Sequence, residues 1–284
     1  MNSNDGEFAK LAEVAEIANA LVLSIARFRS VAVAFSGGVD SAVVAAAALK
    51  AIQGNAIAIT GIGSAVASSE LDSARSVAAS IGIRHIELLT GEIDDANYVR
   101  NDAKRCYFCK SNLYQTLQTW ANENGIERVL SGTNLDDLGD YRPGLQAATE
   151  HSVVAPLAEL KIDKQMVRRL ARYFELAIAD KPASPCLASR IAYGQSVTPE
   201  RLRSIESAES FLTSLGFSDV RVRLHGDALV RIELSLADLG RACETTVRNA
   251  INARMQELGF KFVTLDLMGR QSGSLNRTLP IIVV

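Results

Sequence analysis

The chain predicts an α/β fold: a doubly wound parallel sheet followed by a smaller C-terminal α+β domain. Two observations carry this. Through the first two thirds, short apolar runs of strand length alternate with longer runs of helical periodicity, the order that builds parallel βαβ units. After Lys181-Pro-Ala-Ser-Pro185 the order changes to helix, strand, strand, helix, strand. The domains are therefore drawn as 1–180 and 181–284, with the linker in 178–197.

Each element has its own warrant. Val31-Ala-Val-Ala-Phe35 has no polar residue, so it reads as a strand buried on both faces. Ser41-Ala-Val-Val-Ala-Ala-Ala-Ala-Leu49 begins a helix, and Ala56–Thr60 is a second strand. A helix over 68–81 opens on Ser68-Ser69-Glu70 as N-cap candidates and stops at Gly82. Arg84–Leu89 is a third strand. Leu113, Leu117, Trp120 and Ala121 mark a helix over 106–124, stopped by Gly125, and Arg128–Ser131 is a fourth strand. In the second domain Thr198-Pro199-Glu200 starts a helix with proline at its first position, closing at Gly216. Strands follow at Val220–Leu224 and Leu229–Leu234, then a helix from about Leu236 to Leu258 and a strand at Lys261–Leu267. The first dozen residues read as a frayed helix start.

The most informative segment follows the first strand: Ser36-Gly37-Gly38-Val39-Asp40-Ser41. Two glycines let main-chain N–H groups approach a ligand closely, and the helix that follows offers its positive end to an anion. A βα turn without a ligand would account for the glycines alone, but not for two serines and an aspartate around them. No Gly-Lys-Ser/Thr follows, which excludes a Walker A loop, and the glycine spacing excludes the dinucleotide fingerprint. The hexapeptide resembles the pyrophosphate loop (PP-loop) of the ATP-pyrophosphatase superfamily, which includes GMP synthetase, NAD synthetase and tRNA thiolation enzymes. That resemblance implies an adenine nucleotide α-hydrolase-like fold and ATP held by its β- and γ-phosphates. It also implies AMP transfer to a substrate oxygen.

Other motifs narrow the chemistry. Arg105-Cys106-Tyr-Phe-Cys109-Lys110 holds a C-x-x-C, which fits a redox pair, half a metal site or two ordinary cysteines at a helix start. A helix N-terminus flanked by Arg105 and Lys110 favours thiolate. No second C-x-x-C follows, so a Cys₄ zinc site is not expected. Cys186, between prolines and Arg190, reads as exposed on a rigid loop. Cys243, within the helical run 239–247, reads as a core residue. Thr133-Asn134-Leu-Asp136-Asp137 lies at the carboxyl end of the fourth strand. Its carboxylates fit helix capping or Mg²⁺, with Arg142 within reach of the same crevice. Arg221 and Arg223 share a strand face by period-2 spacing. They fit either a solvated sheet face or a site for a phosphate or carboxylate, with Glu233 placed to pair with them or bind a cation.

Together, the PP-loop, 105–110, 132–144, Ser184-Pro-Cys-Leu-Ala-Ser-Arg190 and Phe262-Val-Thr-Leu-Asp-Leu267 resemble the LarE family, from about residue 12 to 276. These are ATP-dependent sulfur transferases of nickel-pincer nucleotide synthesis. The resemblance implies that a carboxylate of pyridinium-3,5-biscarboxylic acid mononucleotide is adenylylated and then receives sulfur as a thiocarboxylate. It assigns Cys186 to the sulfur-bearing position. Two sulfur sources stay open: Cys186 itself, which would be left as dehydroalanine, or sulfide on a [4Fe–4S] cluster held by Cys106, Cys109 and Cys186. The implied nucleotide set is Ser36, Gly37, Gly38, Val39, Asp40, Ser41, Thr60, Asn134 and Arg142. The substrate set is Ser189, Arg190, Arg221 and Arg223, and Asp136 and Asp137 are Mg²⁺ candidates with Asp40.

Composition sets the bounds. The 284 residues are 48% hydrophobic and 22% charged, with a net charge of −2 and four cysteines. Such a chain can bury a sizeable core and carries no general electrostatic footprint for nucleic acid. That weighs against the rival reading, a tRNA thiolation enzyme of the same superfamily. An amidotransferase-type synthetase gives no reason for three placed cysteines, and a non-catalytic nucleotide-binding regulator is the reading from another class. No apolar run approaches a membrane span of about 20 residues, and no signal peptide is evident. The expected setting is a cytoplasmic homo-oligomer that acts on a small nucleotide, without nucleic acid or membrane partners.

Overall fold

The computed structural model describes residues 3–139, 143–182 and 184–271. The chain divides into two compact units: residues 1–63, 68–92 and 106–184 form the first, and 64–67, 93–105 and 185–284 the second.

Along the chain come α1 (Ser3–Ala26), β1 (Val31–Ala34), α2 (Val39–Ile52), β2 (Ala56–Ile62), α3 (Ser68–Ile81) and β3 (Arg84–Leu89). α4 (Ala96–Val99) belongs to the second unit. The first unit resumes at Cys106, within α5 (Arg105–Glu123), and continues through β4 (Arg128–Leu130), α6 (Leu135–Leu138), α7 (Pro143–Glu150), α8 (Pro156–Glu159) and α9 (Lys164–Tyr173). Its four strands are all parallel, in the order β3-β2-β1-β4, which is the α/β sheet the sequence predicts.

Period-2 alternation divides the strand side chains between two cores. Val31, Val33, Ala56 and Ala58 pack with α1, α2 and α9 through Leu21, Ile25, Val43 and Leu170. Ala32, Ile57, Ile59 and Val129 pack with α5 through Leu117 and Ala121. α2 is buried almost all round, from Val39 to Ala48. Its alanine run suits that position, because small side chains let helix and sheet approach closely. The chain steps outward from β1 to β2 to β3 and then returns to the other side of β1 for β4. The loops after β1 and β4 therefore flank the topological switch point, where such sheets bind ligands.

The second unit contains α10 (Pro199–Ser214), β5 (Arg221–His225), β6 (Leu229–Glu233), α11 (Leu239–Cys243), α12 (Thr245–Glu257) and β7 (Phe262–Leu265). Its sheet runs β5-β6-β7, antiparallel between the first pair and parallel between the second. The segment 93–105 is tied in by Asn101, which is fully buried and has φ 56°. Its Nδ2 donates to the carbonyls of Ala192 and Gln195, both at 2.9 Å.

Three expectations change. The helix expected from Leu236 to Leu258 is broken at Glu244, which is extended (ψ 138°) and precedes α12. Thr245, Thr246 and Val247 are β-branched and carry helix poorly across that point. Cys243, expected in the core, is exposed, because the last turn of α11 ends there. The segment 178–197, expected as the linker, holds a 3-10 turn at Leu187–Arg190, and Leu187, Ala188, Arg190, Ile191 and Val197 are buried.

Candidate functional site

The first unit places the PP-loop residues at the switch point. Gly37 has φ +68°, and a Cβ there would lie 2.6 Å from Ala74 Cα. Only glycine fits. Ser41 Oγ donates to Gly38 O at 3.0 Å and lies 3.3 Å from Ser36 Oγ, so the serines close the loop on itself. No side chain caps α2 at Gly38. The first turn of a helix has no intrahelical acceptor for its N–H groups, which suits this loop to an anion.

Asn134 links this loop to the one after β4. Its Nδ2 donates to Asp40 Oδ1 at 3.0 Å, and its Oδ1 caps α6 by accepting from Asp136 and Asp137 N–H. Asp137 completes a capping box by accepting from Asn134 N–H. Asp136 Oδ2 accepts from Lys164 N–H at 3.0 Å, while the Lys164 ammonium pairs with Asp40. Both aspartates thus cap helices in this structure. Gly132 permits the approach, since a Cβ there would fall 2.7 Å from Ser41 N. Arg142 lies outside the described residues.

Thr60 is buried within β2, where its hydroxyl donates to Phe35 O at 2.8 Å. With its proton so committed, it accepts from His85 Nε2 at 2.7 Å, which fixes the proton of that imidazole on Nε2. Burial lowers the His85 pKa from its ordinary value. Lys164 is the residue that sequence reasoning passed over here. Its signal was Asp163, whose side chain caps α9 by accepting from Met166 N–H.

The second unit presents Cys186 exposed at the head of the 3-10 turn. Arg190 is 3% exposed and pairs with both oxygens of Glu209, at 3.0 and 3.1 Å. Its Nη1 donates to Pro185 O at 2.5 Å, Cys186 O at 3.1 Å and Ser189 Oγ at 3.0 Å. Glu209 carried no sequence signal, because its role depends on α10 lying against β5: it also accepts from Val222 N–H at 2.9 Å.

Arg221 and Arg223 have different surroundings. Arg223 is buried, which rules out the solvated-face reading for it. It donates to Ser189 O at 2.9 Å and to the fully buried Glu233 at 3.0 Å. Glu233 also binds Arg231 at 3.2 Å, and Asp266 completes the cluster through Arg231. Arg221 is half-buried and donates to Val220 O. Among the described residues it has no carboxylate partner. Burial and then the neighbouring Arg190 guanidinium lower its pKa from the usual arginine value.

Cys106 and Cys109 lie in the first turn of α5, in the first unit. Their i, i+3 spacing places them on one helix face, as two ligands of a shared centre require. Cys186 belongs to the second unit. Among the described residues, no three His, Cys, Asp or Glu side chains group as a metal site.

A parallel sheet with this loop between β1 and α2 defines a PP-loop nucleotide-utilising α/β domain, and the asparagine synthase family model matches residues 16–132. Two relatives span nearly the whole chain. An uncharacterised protein of Synechocystis is 44% identical over 247 residues, 87% of this chain and 92% of that protein. The pyridinium-3,5-bisthiocarboxylic acid mononucleotide synthase of Lactiplantibacillus plantarum is 36% identical over 260 residues, 91% of this chain and 93% of the synthase. The chain belongs to the LarE family.

Proposed function

We propose that this protein is an ATP-dependent sulfur transferase. It adenylylates a carboxylate of pyridinium-3,5-biscarboxylic acid mononucleotide and inserts sulfur there. The observation that carries this reading is the near-full-length likeness to the synthase, in a chain that keeps both the Ser36–Ser41 loop and an exposed Cys186.

In this reading the loop and the start of α2 hold the β- and γ-phosphates, with Thr60, Asn134 and Arg142 completing the nucleotide site. Lys164 and Asn134 keep Asp40 oriented. Asp40, with Asp136 or Asp137, would hold Mg²⁺, which takes one or two carboxylates plus phosphate oxygens. A substrate carboxylate oxygen attacks the α-phosphorus and pyrophosphate leaves. The Cys186 thiolate then attacks the acyl carbon and AMP leaves. Loss of the Cys186 Cα proton breaks the Cβ–S bond with the electron pair on sulfur, giving a thiocarboxylate and dehydroalanine. No external oxidant or reductant is needed. Arg221, beside Ser189, Arg190 and Arg223, would hold the substrate's phosphate or second carboxylate. In the alternative sulfur source, Cys186 is not consumed: Cys106, Cys109 and Cys186 would together hold a [4Fe–4S] cluster, which would supply an open iron for an extra sulfide. The protein then acts as a cytoplasmic homo-oligomer.

The test is intact mass and iron content of anaerobically purified protein, before and after reaction with ATP, Mg²⁺ and the pyridinium mononucleotide. Loss of one H₂S, mapped to Cys186 in iron-free protein, supports the sacrificial route. Thiolated product from iron-bearing protein of unchanged mass supports the cluster. Thiolated product from Cys186→Ala at the wild-type rate overturns Cys186 in either role.

A further inference from the structure

We propose that Arg105, Arg190 and Arg223 form a clamp that positions Cys186 by holding the backbone carbonyls of its turn. The proposal rests on the reading of Cys186 as the sulfur-bearing residue.

Four carbonyls of residues 185–189 accept from arginine side chains. Arg190 takes those of Pro185 and Cys186, Arg105 that of Ala188 at 2.9 Å, and Arg223 that of Ser189. The turn adds its own bond, Ser189 N–H to Cys186 O at 3.0 Å, and Leu187 N–H donates to Ala65 O at 2.9 Å. Each guanidinium is oriented from behind. Glu209 holds Arg190, Asn101 Oδ1 accepts from Arg105 at 2.6 Å, and Glu233 holds Arg223.

The burial pattern separates the parts. Arg105, Arg190 and Arg223 are 5%, 3% and 7% exposed, whereas Cys186 is exposed. Three charged groups removed from water are costly unless paired, and here each is paired on one side by an oriented acceptor and on the other by the turn. A guanidinium buried in this way cannot wander, so neither can the carbonyl it holds. The three come from separate places in the chain: the start of α5, the end of the turn itself, and β5. Together they hold the turn at four carbonyls. Arg221, on the same strand face as Arg223, has no bond to the turn and is the natural control.

Positioning has a kinetic signature. A thiol displaced by about 1 Å from its line of attack can lose about 100-fold in rate with little change in substrate affinity. The experiment uses full-length Arg105→Met, Arg105→Lys and Glu209→Gln, with Arg221→Met and Cys186→Ala as controls. Readouts are pyrophosphate release, single-turnover formation of thiolated product across substrate concentrations, and amide hydrogen exchange over 186–191.

In Arg105→Met the maximal single-turnover rate falls about 10- to 100-fold. Half-saturation and pyrophosphate release stay near wild type, and exchange in the turn accelerates. Arg105→Lys, which still donates one bond to Ala188 O, recovers most of the rate. Glu209→Gln, which keeps shape and an acceptor, shows the same rate-specific loss should Arg105→Met fail to fold. Arg221→Met raises the half-saturation concentration instead. Unchanged transfer and exchange in Arg105→Met and Glu209→Gln overturn the clamp, and so does a shift confined to half-saturation. Retained transfer in Cys186→Ala overturns the reading of Cys186, and exchange over 186–191 then still decides whether the clamp exists.

Discussion

At the scale of single residues, the buried ionic cluster of the second unit carries the clearest energetic consequence. Arg223 and Arg231 face each other directly across β5 and β6, an arrangement that repels. Glu233, fully buried, pairs with both, and Asp266 supplies the second negative charge through Arg231. Glu233→Gln leaves that repulsion in place, and breaking a buried pair by removing one partner costs about 3–5 kcal/mol. Urea denaturation should show a loss of that size with pyrophosphate release retained in the folded fraction. The histidines give a pH prediction. His225 Nε2 accepts from Arg231 Nε at 3.2 Å, so the ring is neutral, and burial followed by the Arg231 charge lowers its pKa. His85 is lowered too, by burial first. With folded pKa values below the unfolded one, the unfolded state binds more protons, so stability falls as pH drops from about 6.5. The urea midpoint should decline below that pH, and the His85→Asn, His225→Asn double variant should flatten the decline. Sequence spacing placed Arg221 and Arg223 on one face. It did not show that Arg223 is enclosed by Glu233 and the turn while Arg221 is not, because that depends on packing between distant segments.

At the scale of elements, the site of the first unit rests on how closely the β4 loop approaches the start of α2. Gly132→Ala puts a methyl group 2.7 Å from Ser41 N and 2.9 Å from the Asp40 carbonyl carbon, so one loop must move. ATP-dependent pyrophosphate release should drop at least about 10-fold, a displacement of the order that costs up to about 100-fold, while circular dichroism keeps its helical signal. Asn134→Ala removes both the α6 cap and the hold on Asp40. Losing the cap alone costs about 1 kcal/mol, and pyrophosphate release should fall further than that loss of stability accounts for. The strands and the loop between β1 and α2 were legible in the sequence because periodicity and glycine chemistry are local. Three elements were not. Lys164 meets Asp40 across 124 positions, Glu209 acts from α10 on Arg190 and on an amide of the edge strand β5, and the break at Glu244 left an otherwise continuous helical pattern.

At the scale of the whole molecule, neither unit is a continuous stretch of chain. The polypeptide passes between them after residues 63, 67, 92, 105 and 184. A cut after Ser184 therefore does not release the first unit cleanly. It strips Asn101 and Arg105 of Ala192, Gln195 and Ala188, leaving buried polar groups without partners, at about 1–3 kcal/mol each. A 1–184 fragment should unfold at lower urea concentration than the full chain and expose 93–105 to limited proteolysis. The change of pattern near Pro185 was legible from composition; the membership of 64–67 and 93–105 was not, since it rests on Leu187 N–H donating to Ala65 O and on Asn101 donating to residues about ninety positions away.

That interleaving also sets an order of assembly at the ribosome. Asn101 finds Ala192 only by closing a loop of 91 residues, an entropic cost of about 4 kcal/mol before any contact repays it. Asn101 emerges early and waits for the segment that satisfies it, while α2 and its strands can already pack on neighbours from the same stretch. The turn that carries Cys186 therefore cannot be fixed by Arg105 and Asn101 until the chain has been made to about residue 195, although both have been waiting since residue 105.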